Sequence, residues 1–126
     1  MRFLYDTSVL ATMTRREELS RFRSLLDSPD NIHVTSEYIL AELETVLRSK
    51  FGFTVQKARV TINALAKLSE LVAPKAVEHV SRDPLDDYVL AAAVEGRVEY
   101  LVSADNDLLV LETHRGTRII SPDEFR

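Results

Sequence analysis

The chain has 126 residues, 45% hydrophobic and 29% charged, the size and balance of one globular domain that buries a core without staples. It has no cysteine, which excludes disulfide frameworks, thiolate metal sites and cysteine nucleophiles and fits a reducing cytoplasm. A net charge of −4, from 16 basic and 20 acidic residues, argues against holding nucleic acid by bulk charge, though a nuclease can draw positive charge from metal ions.

The opening MRFLYD has neither a long apolar core nor a cleavage site, so no signal peptide is expected, and no apolar run approaches a membrane span. "RFLY" reads as a short buried strand. A helix is expected from about Arg15 to Leu26, with Leu19, Phe22, Leu25 and Leu26 on one face, broken by "SPDN". "IHVT" is a second strand, in which His33 is expected at the surface or an interface. Ser36 can cap a helix from Glu37 to about Lys50, and "FGF" breaks it. Another helix runs from about Val55 to Leu68, before the strand "ELVAP". Asp83-Pro84 starts a helix that Gly96 follows. "EYLVS" is a strand, "DNDLLVL" a loop entering a short helix, "TRIIS" the last strand and "PDEF" a terminal turn.

No repeat, low-complexity tract or linker divides the chain, so a single domain over residues 1–126 is expected. Strands alternating with helices predict an α/β fold in three layers, α/β/α, around a central, mainly parallel sheet of about four to five strands. Such sheets bind ligands beyond the carboxyl ends of their strands. Asp6 falls at such an end, between the apolar "FLY" and "VL".

Other acids repeat the arrangement. "YLVSADND" ends a strand with Asp105 and Asp107, Asp86 and Asp87 open the helix after Asp83-Pro84, and Glu42 and Glu44 lie in "SEYILAELETVL". Each has an ordinary structural reading: acids in a first helical turn complement the macrodipole, and acids after strands cap loops. Asp6 and Asp105 stand out because both end apolar strands of one parallel sheet. Glu42 and Glu44 flank the apolar stripe of their helix on opposite sides, and spacing does not choose between them. Converging carboxylates raise one another's pKa values unless a cation joins them, and all-oxygen ligands favour Mg²⁺ or Mn²⁺. Such a site suits phosphodiester hydrolysis, with Thr7, Ser8 and Ser103 placed to orient ligands or waters. There is no nucleotide-binding glycine loop, and His33, His79 and His114 lack metal-pair spacing. Arg15 and Arg16 are candidate guides for a nucleic-acid backbone.

The succession "LYDTSVL", "SEYILAELETVL", "DPLDDYVLAAA", "YLVSADNDLLVL", "RIISPDEF" resembles the PIN-domain ribonucleases, most closely the VapC-like toxins of prokaryotic toxin–antitoxin pairs. The resemblance spans Phe3 to Phe125. It implies a PIN-like fold and a metal-dependent endoribonuclease. By motif position it puts the catalytic and metal-binding acids at Asp6, Glu42, Asp87 and Asp105, with Asp86 adjacent to the third and Asp107 as an additional metal ligand. It further implies Mg²⁺ or Mn²⁺, an RNA substrate, a cognate antitoxin, a homodimer and no membrane association. Ser8 stands where many members carry Asn. The alternatives are a non-catalytic PIN-like scaffold and a receiver-like Mg²⁺-binding signalling domain. The latter lacks its phosphoacceptor Asp after "ELVAP" and its Lys after "TRIIS".

Overall fold

A computed structural model of the chain describes residues 1–125, so Arg126, the last residue of the expected domain, lies outside the described residues. Strand β1 (Arg2–Tyr5) carries Phe3 and Leu4, both fully buried, on opposite faces of the sheet. Asp6 ends it and starts α1 (Thr7–Arg15) by accepting the Val9 N–H at 2.9 Å, an N-cap bond. The first helix therefore begins well before the expected Arg15. The chain breaks at Arg16–Glu18, where Glu17 takes a φ of 56°, and α2 (Leu19–Leu25) follows.

Strand β2 (Ile32–Ser36) runs through a Ser36 cap into α3 (Glu37–Ser49), and Thr54 caps α4 (Val55–Leu68), which ends at β3 (Ser69–Val72). Residues 73–83 form an irregular crossing to α5 (Pro84–Glu95), with Asp83 as N-cap and Pro84 in the first turn. Then come β4 (Tyr100–Val102), α6 (Asn106–Leu109), β5 (Thr113–His114) and β6 (Thr117–Ile120).

The six strands form one sheet in the order β3-β2-β1-β4-β6-β5, parallel throughout except for β5 against β6. The sheet exceeds the expected four to five strands by β5, whose two residues are too few to show an alternating pattern. Arg115 and Gly116 turn it onto β6 with φ values of 47° and 87°, the paired positive values of a tight hairpin. From β1 the chain builds outward through β2 and β3 on one side, then crosses to β4 and β6 on the other. The order reverses between β1 and β4, and a ligand crevice is expected above that point.

Helices cover both faces. Phe22 of α2 packs edge-on to Phe3 and His33, while Gly96, at the end of α5, lies against Val34 on the opposite face. A Cβ at Gly96 would stand 2.5 Å from the Val34 side chain, so this position sets how closely α5 approaches β2. No described helix is long and apolar enough to cross a membrane.

His33 is not at the surface as expected; it is 1% exposed, among the rings of Phe3, Tyr5 and Phe22. The Tyr5 N–H donates to its Nε2 at 3.1 Å, which makes Nδ1 the protonated nitrogen, 2.7 Å from the Ser69 hydroxyl. The imidazole thus ties β1 and β3 to β2 as a neutral group, and burial pushes its pKa down to about 3. An unfolded chain takes up this proton below about pH 6.5 and the folded one does not, so His33 makes stability fall as pH drops from about 6.5 toward 3. Urea midpoints at pH 7 and pH 5 should show that His33→Gln loses about 2 kcal/mol of the pH dependence of the parent. An unchanged dependence in the variant would mean that the imidazole protonates freely in the folded state.

Candidate metal centre

The parallel register of β1 with β4 pairs Tyr5 with Val102, so Asp6 and Ser103 leave the sheet side by side. The Asp6 N–H donates to the Val102 carbonyl at 3.1 Å, holding the first residue past the strand in line with it. The Asp6 carboxylate is 4% exposed and accepts from the Val9 N–H, from Ser8 Oγ at 2.7 Å and from Ser103 Oγ. Burial raises its pKa most. The hydroxyls of Ser103 and Ser8 and the Val9 N–H oppose that rise, and the charge of Asp105 adds to it.

Ser103 is the hinge of the arrangement. Its hydroxyl donates to Asp6 and accepts the Asp105 N–H at 2.9 Å, so one buried side chain fixes both acids. Asp105 in turn caps α6, accepting the Asp107 N–H at 2.9 Å. Carboxylate oxygens of Asp86, Asp105 and Asp107 all lie within 4.8 Å of one another, the one such acidic group among the described residues. Asp86 arrives from the first turn of α5, where the Ser81 hydroxyl donates to it at 3.4 Å. Burial pushes its pKa up to about 7, helped by the charges of Asp105 and Asp83; near neutral pH Asp86 can keep a proton and share it with Asp105.

Glu42 stands beside this group rather than in it. It accepts the hydroxyl of Thr7, the neighbour of Asp6, whereas Glu44 pairs with Arg59 of α4 at 3.7 Å. The two glutamates that spacing could not separate thus have different partners, and Glu42 is the one on the Asp6 side.

Asp87 differs from expectation. Although adjacent to Asp86, it faces the loop before α5, and among the described residues it is not part of the acidic group. Its Oδ1 accepts the Ser81 N–H at 2.7 Å and the Val80 N–H at 3.0 Å, and His79 Nδ1 lies 3.2 Å from Oδ2. These partners, led by the Ser81 N–H, hold its carboxyl below the ordinary range. The physical reason is helical rotation: consecutive residues point about 100° apart, so only one of the pair can face Asp105. Periodicity could not choose, because α5 is buried nearly all round, from Val89 to Ala93. The residue that the motifs missed, Ser81, has no sequence signal beyond its place before an Asp-Pro helix start.

Arg15 lies at the far end of α1 from Asp6, about 13 Å along the helix, and Arg16 follows as its C-cap. Arg15 sits over the Phe51 ring, so these cations are not at the acidic crevice.

A crevice at the strand-order reversal, lined by carboxylates from β1, β4 and the start of α5, defines an all-oxygen site of the kind that takes a hard divalent cation. The chain belongs to the PIN-domain family: the family model described as "PIN domain" matches residues 2–107. Comparison with curated proteins gave no match. Among solved structures, a chain of VapBC2 from Rickettsia felis, crystallised with a DNA fragment from its promoter, is similar with a TM-score of 0.65 and 14% identity, over 96% of this chain and 98% of that one. Mycobacterium tuberculosis VapC20, described as a sarcin–ricin loop cleaving toxin, is similar with a TM-score of 0.62 and 16% identity, over 92% and 98%. At these identities the likeness is one of fold.

The two neighbouring aspartates should separate experimentally. Asp87→Ala strips the acceptor from the buried Ser81 N–H and from Val80, and should cost about 2–3 kcal/mol in urea denaturation, with faster amide exchange at residues 80 and 81. Normal stability and exchange, with loss of Mn²⁺ binding instead, would return Asp87 to the acidic group.

Proposed function

We propose that this chain is a Mg²⁺- or Mn²⁺-dependent endoribonuclease, the toxin of a toxin–antitoxin pair, acting in the cytoplasm as a single-domain homodimer that a cognate antitoxin inhibits. The observation that carries the reading is the triad of Asp86, Asp105 and Asp107, joined through Ser103 to buried Asp6 at the strand-order reversal. Membership of the PIN-domain family supports a nuclease. The fold shared with a VapBC2 chain and with VapC20, described as a sarcin–ricin loop cleaving toxin, supports the toxin reading and an antitoxin partner.

The donor set fits a divalent cation. It is all oxygen, and the charges of Asp105 and Asp83 resist ionisation of Asp86 when no cation offsets them. Asp6, Asp86, Asp105 and Asp107 would hold the ion, with Glu42 beside them on the Thr7 hydroxyl; Asp86 takes the place that motif position gave to Asp87. When bound, such an ion activates water and neutralises charge on a phosphodiester. The chain's own contribution is positioning. Ser103 keeps the Asp6 and Asp105 carboxylates in register, and Thr7 orients Glu42 toward the crevice. Burial, with the charges of Asp105 and Asp83, lets Asp86 hold a proton on its carboxyl oxygen toward Asp105 near neutral pH.

The test is cleavage of a mixed RNA pool with Mn²⁺ or Mg²⁺ and with EDTA. Wild type should cut only with metal, Asp6→Asn and Asp105→Asn should fall below detection while folding normally, and Ser103→Ala should lose about 10- to 100-fold. Cleavage by Asp105→Asn at the wild-type rate would remove the acidic crevice from the reaction.

A further inference from the structure

Next to the acids lies a pair of tyrosines that the metal centre does not use. Tyr38, in the first turn of α3, and Tyr88, in α5, stack with ring centroids 4.6 Å apart and planes inclined by 20°. Tyr38 precedes Glu42 by one helical turn, so the two share a face of α3. Tyr88 follows Asp86 by two residues and so leaves α5 on a different face; its stack on Tyr38 is what brings its ring to the Glu42 side. Burial first, and then the charges of Glu42, Tyr88, Asp83 and Asp86, make the Tyr38 phenol harder to ionise, which places the pair within reach of both acidic helices. Tyr88 is 43% exposed, and Leu85, one turn before it, is 51% exposed. Leu85 and Tyr88, three residues apart, thus give the stack an exposed, apolar rim on one face of α5.

A single stacked pair needs only one buried interface to hold α3 against α5; it does not need a second ring left open to water. What an open tyrosine beside a phosphodiester-binding site fits is another flat π-system. Single-stranded RNA offers one at every nucleotide, and base–aromatic stacking is the usual sequence-tolerant way of holding it. The local charge points the same way. With Glu42, Asp83 and Asp86 close by, a bare phosphate is disfavoured at the rim, whereas an uncharged base is not.

We propose that the Tyr38–Tyr88 stack is a platform for one nucleobase of the RNA substrate, adjacent to the phosphodiester held at Asp86, Asp105 and Asp107. The proposal rests on the ribonuclease reading and deepens it: it gives the substrate an unpaired, splayed base next to the cleaved bond. Tyr88 is then a positioning residue that lowers KM without taking part in the reaction.

Two measurements test it. In the Asp6→Asn background, fluorescence anisotropy follows binding of a labelled random RNA pool of about 12 nucleotides and of an abasic ribose-phosphate oligomer of equal length. Tyr88→Ala should weaken binding of the pool roughly 5- to 150-fold and leave the abasic oligomer nearly unaffected, while Tyr88→Phe and Tyr88→Trp bind like the parent. In the otherwise wild-type chain, Tyr88→Ala should raise KM with kcat little changed. Undiminished binding of the pool by Tyr88→Ala, an equal loss on the abasic oligomer, or failure of the parent to bind RNA at all would overturn the platform. Metal-dependent cleavage that Asp105→Asn loses but Tyr88→Ala does not alter would keep the ribonuclease and discard the platform. Base-dependent binding through Tyr88 without cleavage under any condition would do the reverse.

Discussion

Three residues of β1 lie parallel to three of β4, Phe3 with Tyr100, Leu4 with Leu101 and Tyr5 with Val102, and the acidic crevice depends on that ladder. A parallel pair delivers both chain ends to the same edge of the sheet, whereas an antiparallel pair would send Asp6 and Asp105 to opposite edges. Buried Phe3, Leu4, Leu101 and Val102 hold the ladder from both faces, so the register cannot slip without exposing them. Ser103 then converts strand register into side-chain geometry, because its hydroxyl can reach Asp6 and the Asp105 N–H only if the strands are aligned as they are. A slip of one residue would turn that hydroxyl to the other face.

Holding like charges together works against folding, and the chain handles each carboxylate differently. Asp6 is buried, and burial raises its pKa, but its three donors oppose part of that rise. Asp87 is equally buried and is satisfied by two backbone N–H groups, which keeps it ionised and makes it a strut for the loop before α5. Asp86 receives only a long bond from Ser81 while facing Asp105, and it is the acid that environment pushes toward neutrality. Two adjacent residues of one type thus take opposite ionisation behaviour from their surroundings. The strut and the perturbed acid are linked, since Ser81 gives its N–H to Asp87 and its hydroxyl to Asp86.

The alternation of strands and helices, the caps at Ser36 and Asp83 and the extent of α4 could all be read from the chain, because each rests on neighbours in sequence. So could Asp6 and Asp105, since an acid that ends an apolar strand has one direction in which to leave the sheet. What escaped depends on partners far along the chain. His33 looks like a polar residue in a strand until Tyr5 and Ser69 are seen to satisfy both of its nitrogens. Asp87 matches the family's motif position better than its environment, because the N–H groups that claim it belong to an irregular loop. The early start of α1 was hidden by reading Asp6 for its chemistry alone, when the same carboxylate is also an N-cap.

That double use recurs around the crevice. Asp6 caps α1, Asp105 caps α6, Asp83 caps α5, and Ser36 opens the helix that carries both Tyr38 and Glu42. Helix starts are gathered at one edge because β1, β2 and β4 each hand over to a helix there, and their unpaired N–H groups give the carboxylates donors without borrowing them from the core. The partial positive charge of these helix ends eases the crowding of acids that a water-exposed loop would have to relieve by spreading them apart. Tyr38 and Tyr88 enter by the same route. Each lies in the opening turns of a helix; Tyr38 is half-buried against the core, and Tyr88, stacked on it, is left partly open to water. The topology that gathers the acids thus also brings the α3 and α5 starts together, and in the proposed ribonuclease that pairing suits a substrate whose repeating unit is a phosphate next to a base.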